Sequence, residues 1–228
     1  MKQSVLDRLR GGLIVSCQAL PDEPLHSSLI MGRMALAAAM GGAVGIRANT
    51  AADIDEIRRQ VDLPVIGLCK KVYGDCPVFI TPTMAEIDEV ASSGAEIIAT
   101  DATNRVRPDG ASLEEFYQRV RERHPHVLLM ADISTLDEGI RARRLGFDLV
   151  GTTLAGYTEY TKGRELPDLE LIRQLAASID GPVIAEGGIW SPMQLRQAMD
   201  SGAFACVVGT AITRPREIVR RYTDALKR

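Results

Sequence analysis

Eight short apolar runs in this chain each end on, or run into, a residue able to do chemistry. In order, these are Gln18, Arg47, Lys70, Asp101, Asp132, Thr152, Glu186 and the pair Gly209-Thr210. In a barrel of parallel strands the C-terminal strand ends share one rim. An amide, a guanidinium, an amine, several carboxylates and a phosphate cradle would then face a common ligand. Such a set could transfer protons on a phosphorylated sugar. Two of the eight handovers are richest in glycine: Ala185-Glu186-Gly187-Gly188-Ile189-Trp190-Ser191-Pro192 and Val207-Val208-Gly209-Thr210-Ala211-Ile212-Thr213-Arg214. Each leads from an apolar run through glycine towards a helix start, the arrangement that aims free backbone N–H groups at an anion. Gly187, Gly188, Gly209 and Thr210 are therefore expected to hold one phosphate, with Arg214 adding a bidentate contact. Ordinary strand-to-helix turns also use glycine; the tandem occurrence in neighbouring units is what favours the phosphate. Lys70 stands beside Lys71. Both faces of a parallel strand are buried, so alternation does not say which lysine points inward.

Positioning these residues requires strands that alternate with helices, and the patterning supplies them. The apolar runs are Leu13–Cys17, Val44–Arg47, Val65–Cys69, Glu96–Thr100, Leu128–Asp132, Leu149–Thr152, Val183–Glu186 and Cys206–Gly209. Between and after them, helical periodicity predicts helices over 28–40, 53–61, 84–93, 112–124, 135–145, 168–178, 191–201 and 216–227. Ser112 and Glu115 have capping-box spacing. Gly42-Ala43, Gly94-Ala95, Gly146-Phe147 and Gly202-Ala203 recur just before strands as helix stops, a repeat spanning two strand–helix units. An open doubly wound sheet would reuse the same stop, but eight units favour an α/β fold of the single-domain (β/α)8, or TIM-barrel, type. The longest connection, Thr153–Pro167, reads as a binding loop or lid.

Composition narrows the function classes. A chain of 228 residues is close to the ~250 typical of such barrels, and 46% hydrophobic content can fill one large core. A net charge of −3, with Lys and Arg scattered over the helices, gives no basic surface for nucleic acid. No apolar run approaches the ~18 residues of a membrane span, and Met1–Arg10 is a charged amphipathic segment without a signal-peptide core. The expected setting is cytoplasmic. Cys17, Cys69, Cys76 and Cys206 lack metal-ligand spacing, and three of them fall in predicted strands, so they are expected to be reduced core thiols.

From Gly12 to about Tyr222 the sequence resembles the N-acylglucosamine-6-phosphate 2-epimerases, also called N-acetylmannosamine-6-phosphate epimerases. The resemblance is carried by Gly-Gly-Leu-Ile-Val-Ser-Cys-Gln at 11–18, Gly-Ala-Val-Gly-Ile-Arg at 42–47, Leu-Pro-Val-Ile-Gly at 63–67 with Lys70, and Asp-Ala-Thr-Asn-Arg at 101–105. It continues in Met-Ala-Asp-Ile-Ser-Thr at 130–135, Gly-Thr-Thr-Leu-Ala-Gly-Tyr-Thr at 151–158, Val-Ile-Ala-Glu-Gly at 183–187 and Val-Gly-Thr-Ala-Ile-Thr-Arg-Pro at 208–215. It implies interconversion of N-acetylmannosamine 6-phosphate and N-acetylglucosamine 6-phosphate in sialic acid breakdown, with no metal or organic cofactor. On matching positions it implies that Lys70 and Glu186 are catalytic, that Arg214 binds phosphate, and that Gln18, Arg47 and Asp132 hold the sugar. The chain departs from the family pattern at Val72, where many members carry an acidic residue, and at Cys69, usually aliphatic. Thr152, at its strand end, joins the expected substrate contacts, and a homodimer is expected as for many barrel enzymes.

The implied chemistry removes a proton alpha to the open-chain aldehyde and returns it to the other face, with an enolate between. Lys70 would act as a neutral amine and Glu186 as a second proton-handling group, with Arg47 or Gln18 polarising an oxygen and Asp132 orienting a hydroxyl. Lys70 as a Schiff-base nucleophile in an aldolase, another phosphosugar isomerase, and a non-catalytic phosphosugar-binding module are the rival readings.

Overall fold

The computed structural model describes residues 2–227. Eight parallel strands pair in sequence order and close on themselves: β1 (Leu13–Cys17), β2 (Gly45–Asn49), β3 (Val65–Leu68), β4 (Ile97–Asp101), β5 (Leu128–Asp132), β6 (Leu149–Gly151), β7 (Val183–Glu186) and β8 (Ala205–Val208). The first and last meet through Ile14 opposite Val207, which closes the barrel. The helices are α1 (Lys2–Leu9), α2 (Ser28–Met40), α3 (Ala51–Gln60), α4 (Met84–Ser92), α5 (Leu113–Arg123), α6 (Leu136–Leu145), α7 (Leu169–Ser178), α8 (Pro192–Asp200), α9 (Thr210–Thr213) and α10 (Pro215–Asp224).

The helix starts follow the capping chemistry in the sequence. Ser112 and Glu115 form the expected capping box, and Thr83 with Glu86 and Thr135 with Glu138 form two more. At the stops, Gly42, Gly94, Gly146 and Gly202 all adopt left-handed φ values of 74 to 106°, which explains the recurrent glycine. Most element ends fall within two residues of the expected ones. The expected final helix is α10, and a short helix that the periodicity did not predict, α9, precedes it; the two are separate because Arg214 leaves the helical conformation (φ −119°, ψ 79°) and Pro215 begins a new helix. The charged N-terminal segment forms α1, although its first residue, Met1, lies outside the described residues.

Two apolar layers share the strands. Ile14, Ile66, Leu68, Ile97, Leu128, Met130, Leu149, Ile184 and Val207 fill the barrel interior together with Leu9 of α1. Their neighbours, among them Val15, Ile46, Val65, Ile98, Leu129, Val150, Val183 and Cys206, face the helices. Every strand therefore has an inward set at alternate positions, and that set fixes what reaches the upper rim. All four cysteines are free; Cys17, Cys69 and Cys206 are buried, Cys69 one residue past β3, and Cys76 is partly exposed. Among the described residues no helix is long and apolar enough to cross a membrane.

Candidate active site

Continuing the inward set of each strand to the top of the barrel places Ser16 and Gln18, Arg47, Lys70, Asp101, Asp132, Thr153, Glu186 and Gly209 in the interior. This pleat settles the lysine pair. Lys70 follows Ile66 and Leu68 inward, whereas Lys71 turns out, leaves 56% of its side chain exposed and pairs with Glu86 at 3.7 Å. The same parity separates Thr153 from Thr152, and here the structure differs from the expectation. Thr152 follows Val150 on the outward set, and its hydroxyl is held between the N–H and C=O of Glu186 at 3.0 and 2.9 Å. It braces Glu186 and does not line the cavity; Thr153 does.

The rim encloses a cavity of about 400 Å³, within the ~300–1,000 Å³ usual for small-molecule sites. Gln18, Arg47, Lys70, Glu186, Gly187, Gly188, Gly209, Thr210 and Arg214 all line it, together with Ser16, Thr153, Tyr157 and Trp190, which the sequence did not single out. Counting strand positions to the rim would have found Ser16 and Thr153. The two aromatics come from connections with no period to read. Asp132 does not line the cavity; fully buried within the barrel, it reaches the site through Arg47. Asp101 is also buried, held by Thr103 and by Arg105 at 2.5 Å, and it organises its own loop.

Arg47 is the electrostatic centre. It lies within β2, two residues short of the strand end, level with Ser16 and Ile66. Its Nη2 donates to Asp132 Oδ2 at 2.5 Å and its Nη1 to Glu186 Oε2 at 2.7 Å. Burial opposes charge on Arg47, but the two carboxylates outweigh it and keep the guanidinium protonated. Burial is also the largest influence on Glu186; with Asp132 nearby it raises the Glu186 pKa against the pull of Arg47 and Lys70. Lys70 makes no side-chain hydrogen bond or ion pair among the described residues; its own N–H donates to Asn49 Oδ1 at 2.8 Å. Burial, then the positive charges of Arg47 and Arg214, bring the Lys70 amine down from 10.5 to about 8. Among the described residues, two buried side-chain atoms have no partner, and both belong to this site: Gln18 Oε1 and Arg47 Nε. Buried polar atoms are seldom left unpaired, so each invites a ligand group, a donor for Gln18 and an acceptor for Arg47.

The glycine end of the cavity has its own geometry. Gly187 and Gly188 take left-handed φ values of 112 and 69°, and a Cβ on Gly188 would come within 2.3 Å of Leu166. Gly209 precedes α9, where a Cβ would crowd Ser16 at 3.2 Å. Thr213 fastens the α9 turn to β1 by donating to the Ser16 carbonyl at 2.7 Å. Arg214 is aimed by Glu23, 3.1 Å away, and keeps part of its guanidinium exposed in the cavity. The loop over 152–168 is pinned rather than loose: Tyr160 donates to Glu138 at 2.5 Å, the Thr158 and Thr161 hydroxyls bond each other, and Thr158 also donates to Ser134. No cluster of three or more His, Cys, Asp or Glu side chains among the described residues could hold a metal.

Fold and site together define a (β/α)8 barrel with a half-buried amine, a half-buried carboxylate and glycine-lined strand ends, the class to which phosphosugar isomerases belong. Comparison with known proteins narrows the class. The family described as "Putative N-acetylmannosamine-6-phosphate epimerase" matches residues 31–228. A "Putative N-acetylmannosamine-6-phosphate 2-epimerase" of Caldanaerobacter subterraneus subsp. tengcongensis is 54% identical over 227 residues, covering 100% of this chain and 96% of that one. One of the same name from Listeria innocua is 50% identical and covers 100% of both chains. The solved structure of the N-acetylmannosamine-6-phosphate 2-epimerase from Clostridium perfringens superposes with a TM-score of 0.92 at 51% identity, over 96% of this chain and 95% of that one. The chain belongs to the N-acetylmannosamine-6-phosphate 2-epimerase family.

Proposed function

We propose that this protein epimerises N-acetylmannosamine 6-phosphate and N-acetylglucosamine 6-phosphate at C2, with Lys70 and Glu186 as its proton-handling groups. One observation carries the assignment of roles. Lys70 follows β3 and Glu186 ends β7, four strands apart in a closed ring of eight, so the amine and the carboxylate approach the cavity from opposite sides. Inverting a carbon by proton transfer needs donors and acceptors disposed in that way.

The substrate phosphate is assigned to Gly187, Gly188, Gly209, Thr210 and Arg214, which anchors one end of the open-chain sugar. Neutral Lys70 takes the C2 proton; the C–H electron pair moves into a C1–C2 double bond and the aldehyde oxygen becomes an enolate. The donor free to meet that oxygen is Arg47 Nε, since both Nη atoms are engaged. Gln18 has given its N–H to Ser16 at 2.9 Å, so its open carbonyl oxygen suits a hydroxyl or amide N–H of the sugar. Protonated Glu186 returns a proton to the other face; burial, with Asp132 nearby, shifts its pKa upward, in the direction that favours holding that proton. Asp132 acts through Arg47, holding the guanidinium in place. Exchange with water then resets the lysine and the carboxylate.

The test is proton NMR of N-acetylmannosamine 6-phosphate with the protein in deuterated water. The gluco epimer should appear carrying deuterium at C2, and Lys70→Ala should abolish that exchange. Exchange that persists in Lys70→Ala sinks the role of the lysine; an unchanged substrate spectrum with saturable binding sinks the epimerase. A homodimer belongs to the same proposal: α10 buries none of its side chains, and Val219 and Tyr222 stand exposed on it. Light scattering of the purified chain tests it, and a monomer would refute it.

A further inference from the structure

Among the described residues, the non-glycine residues that take a positive φ are Thr50, at 71°, and Thr81, at 43°. Both are β-branched, and for such residues that half of the map is strained. They flank one short segment, Leu68-Cys69-Lys70, where β3 hands over to the cavity.

Thr50 prolongs β2 by donating its N–H to the Leu68 carbonyl at 2.8 Å. In a parallel ladder the next rung would run from the Lys70 N–H to the Thr50 carbonyl. The chain makes a different one. Thr50 is also the N-cap of α3, with ψ at 150°, and its carbonyl accepts from the Ile54 N–H at 3.1 Å. The Lys70 N–H goes instead to Oδ1 of the buried Asn49, at 2.8 Å. On the other side, the Thr81 hydroxyl accepts from the Cys69 N–H at 3.1 Å and donates to the Ala99 carbonyl at 2.6 Å, while the Thr81 N–H donates to the Cys69 carbonyl at 2.8 Å. Since the Lys70 amine has no hydrogen bond or ion pair of its own among the described residues, its aim depends on where its main chain is held. We propose that Asn49 is a positioning residue for Lys70: its side-chain carbonyl replaces the Thr50 backbone carbonyl at the end of β3 and fixes the point from which the lysine stem enters the cavity. The charges that act on the amine are Arg47 on β2, Arg214 after β8, Glu186 on β7 and Asp132 on β5. Asn49 is neutral and holds the lysine by its main chain.

This inference rests on the reading of Lys70 as the group that takes the C2 proton, so its test follows the amine separately from turnover. Carbon-13 NMR of the lysine Cε positions follows the Lys70 titration, with Lys70→Met identifying the signal. Asn49→Leu, close in size but without an acceptor, should move the midpoint from about 8 back towards 10.5 by about half a pH unit or more, since a loosened stem lets the amine reach water. At pH 9, kcat of Asn49→Leu should fall about tenfold while KM moves less than about twofold. Asn49→Asp, which keeps an oxygen in place, should hold kcat at pH 9 within about threefold of wild type. A residue that only supports the fold would lower Tm and leave the midpoint alone. An Asn49→Leu midpoint equal to wild type therefore overturns the proposal, as does an Asn49→Asp kcat that falls as far as that of Leu. Asn49→Ala carries the same test if the leucine variant does not fold. Exchange at C2 that persists in Lys70→Met would refute the catalytic reading and leave the midpoint comparison intact.

Discussion

Removal of the C2 proton by neutral Lys70 fixes the pH dependence of the reaction. An ordinary lysine with a pKa of 10.5 would be neutral about once in three thousand at pH 7; lowered to about 8 by burial, Arg47 and Arg214, it is neutral about once in eleven. The difference, about 2.5 pH units, removes roughly 3.4 kcal/mol from the cost of presenting the base. The perturbation is pH itself, and kcat/KM is the quantity to follow because it reports the free enzyme. Substrate phosphate ionises near pH 6, so it does not interfere above pH 7. Exchange of the C2 hydrogen in the unepimerised substrate, which needs the lysine but not the proton donor, should by proton NMR rise about fivefold from pH 7 to 8, reach about tenfold by pH 9 and then level off. A rate that keeps climbing tenfold per unit past pH 9 would show an unshifted base and refute the electrostatic argument. A flat profile from pH 7 would remove Lys70 as the base.

The same lysine costs stability. Its folded pKa of about 8 lies below its unfolded 10.5, so the unfolded chain binds more protons between those values and stability rises with pH across that window. Lys70→Met should therefore be more stable than wild type at pH 7 by up to about 3 kcal/mol, several degrees in Tm, with the gap closing towards pH 10 in calorimetry. Arg47→Met should do the opposite, leaving Asp132 and Glu186 buried without their cation. A loss of about 3–5 kcal/mol is expected from urea unfolding at neutral pH, and a smaller loss in acid, where the carboxylates protonate. Gly188→Ala must both hold a left-handed φ and push Leu166 aside, so it should weaken inorganic phosphate binding in calorimetric titration; Gly187→Ala meets no atom within 3.7 Å and should pay only for its φ. Arg214→Ala should raise KM for the sugar phosphate about 10- to 100-fold with kcat less affected, the worth of one charge-assisted contact.

The sequence alone determined the barrel, its helix stops and most of its rim. Those features are local: alternation of short apolar runs with helical stretches, glycines that must take φ above zero, and polar residues where the runs end. It also reached Lys70, through the resemblance of motifs rather than through periodicity, because strands buried on both faces give no visible alternation. What only the tertiary structure decided is the inward parity common to all eight strands. That parity turns Lys71 outward, puts Thr153 in the cavity and leaves Thr152 as a brace on Glu186. The sharing of Arg47 between Asp132 and Glu186 was equally illegible, since it joins positions 85 and 139 residues apart. The lowered pKa of Lys70 belongs with it. Such effects depend on how closely charges approach and how much water is excluded, and closing the barrel sets both.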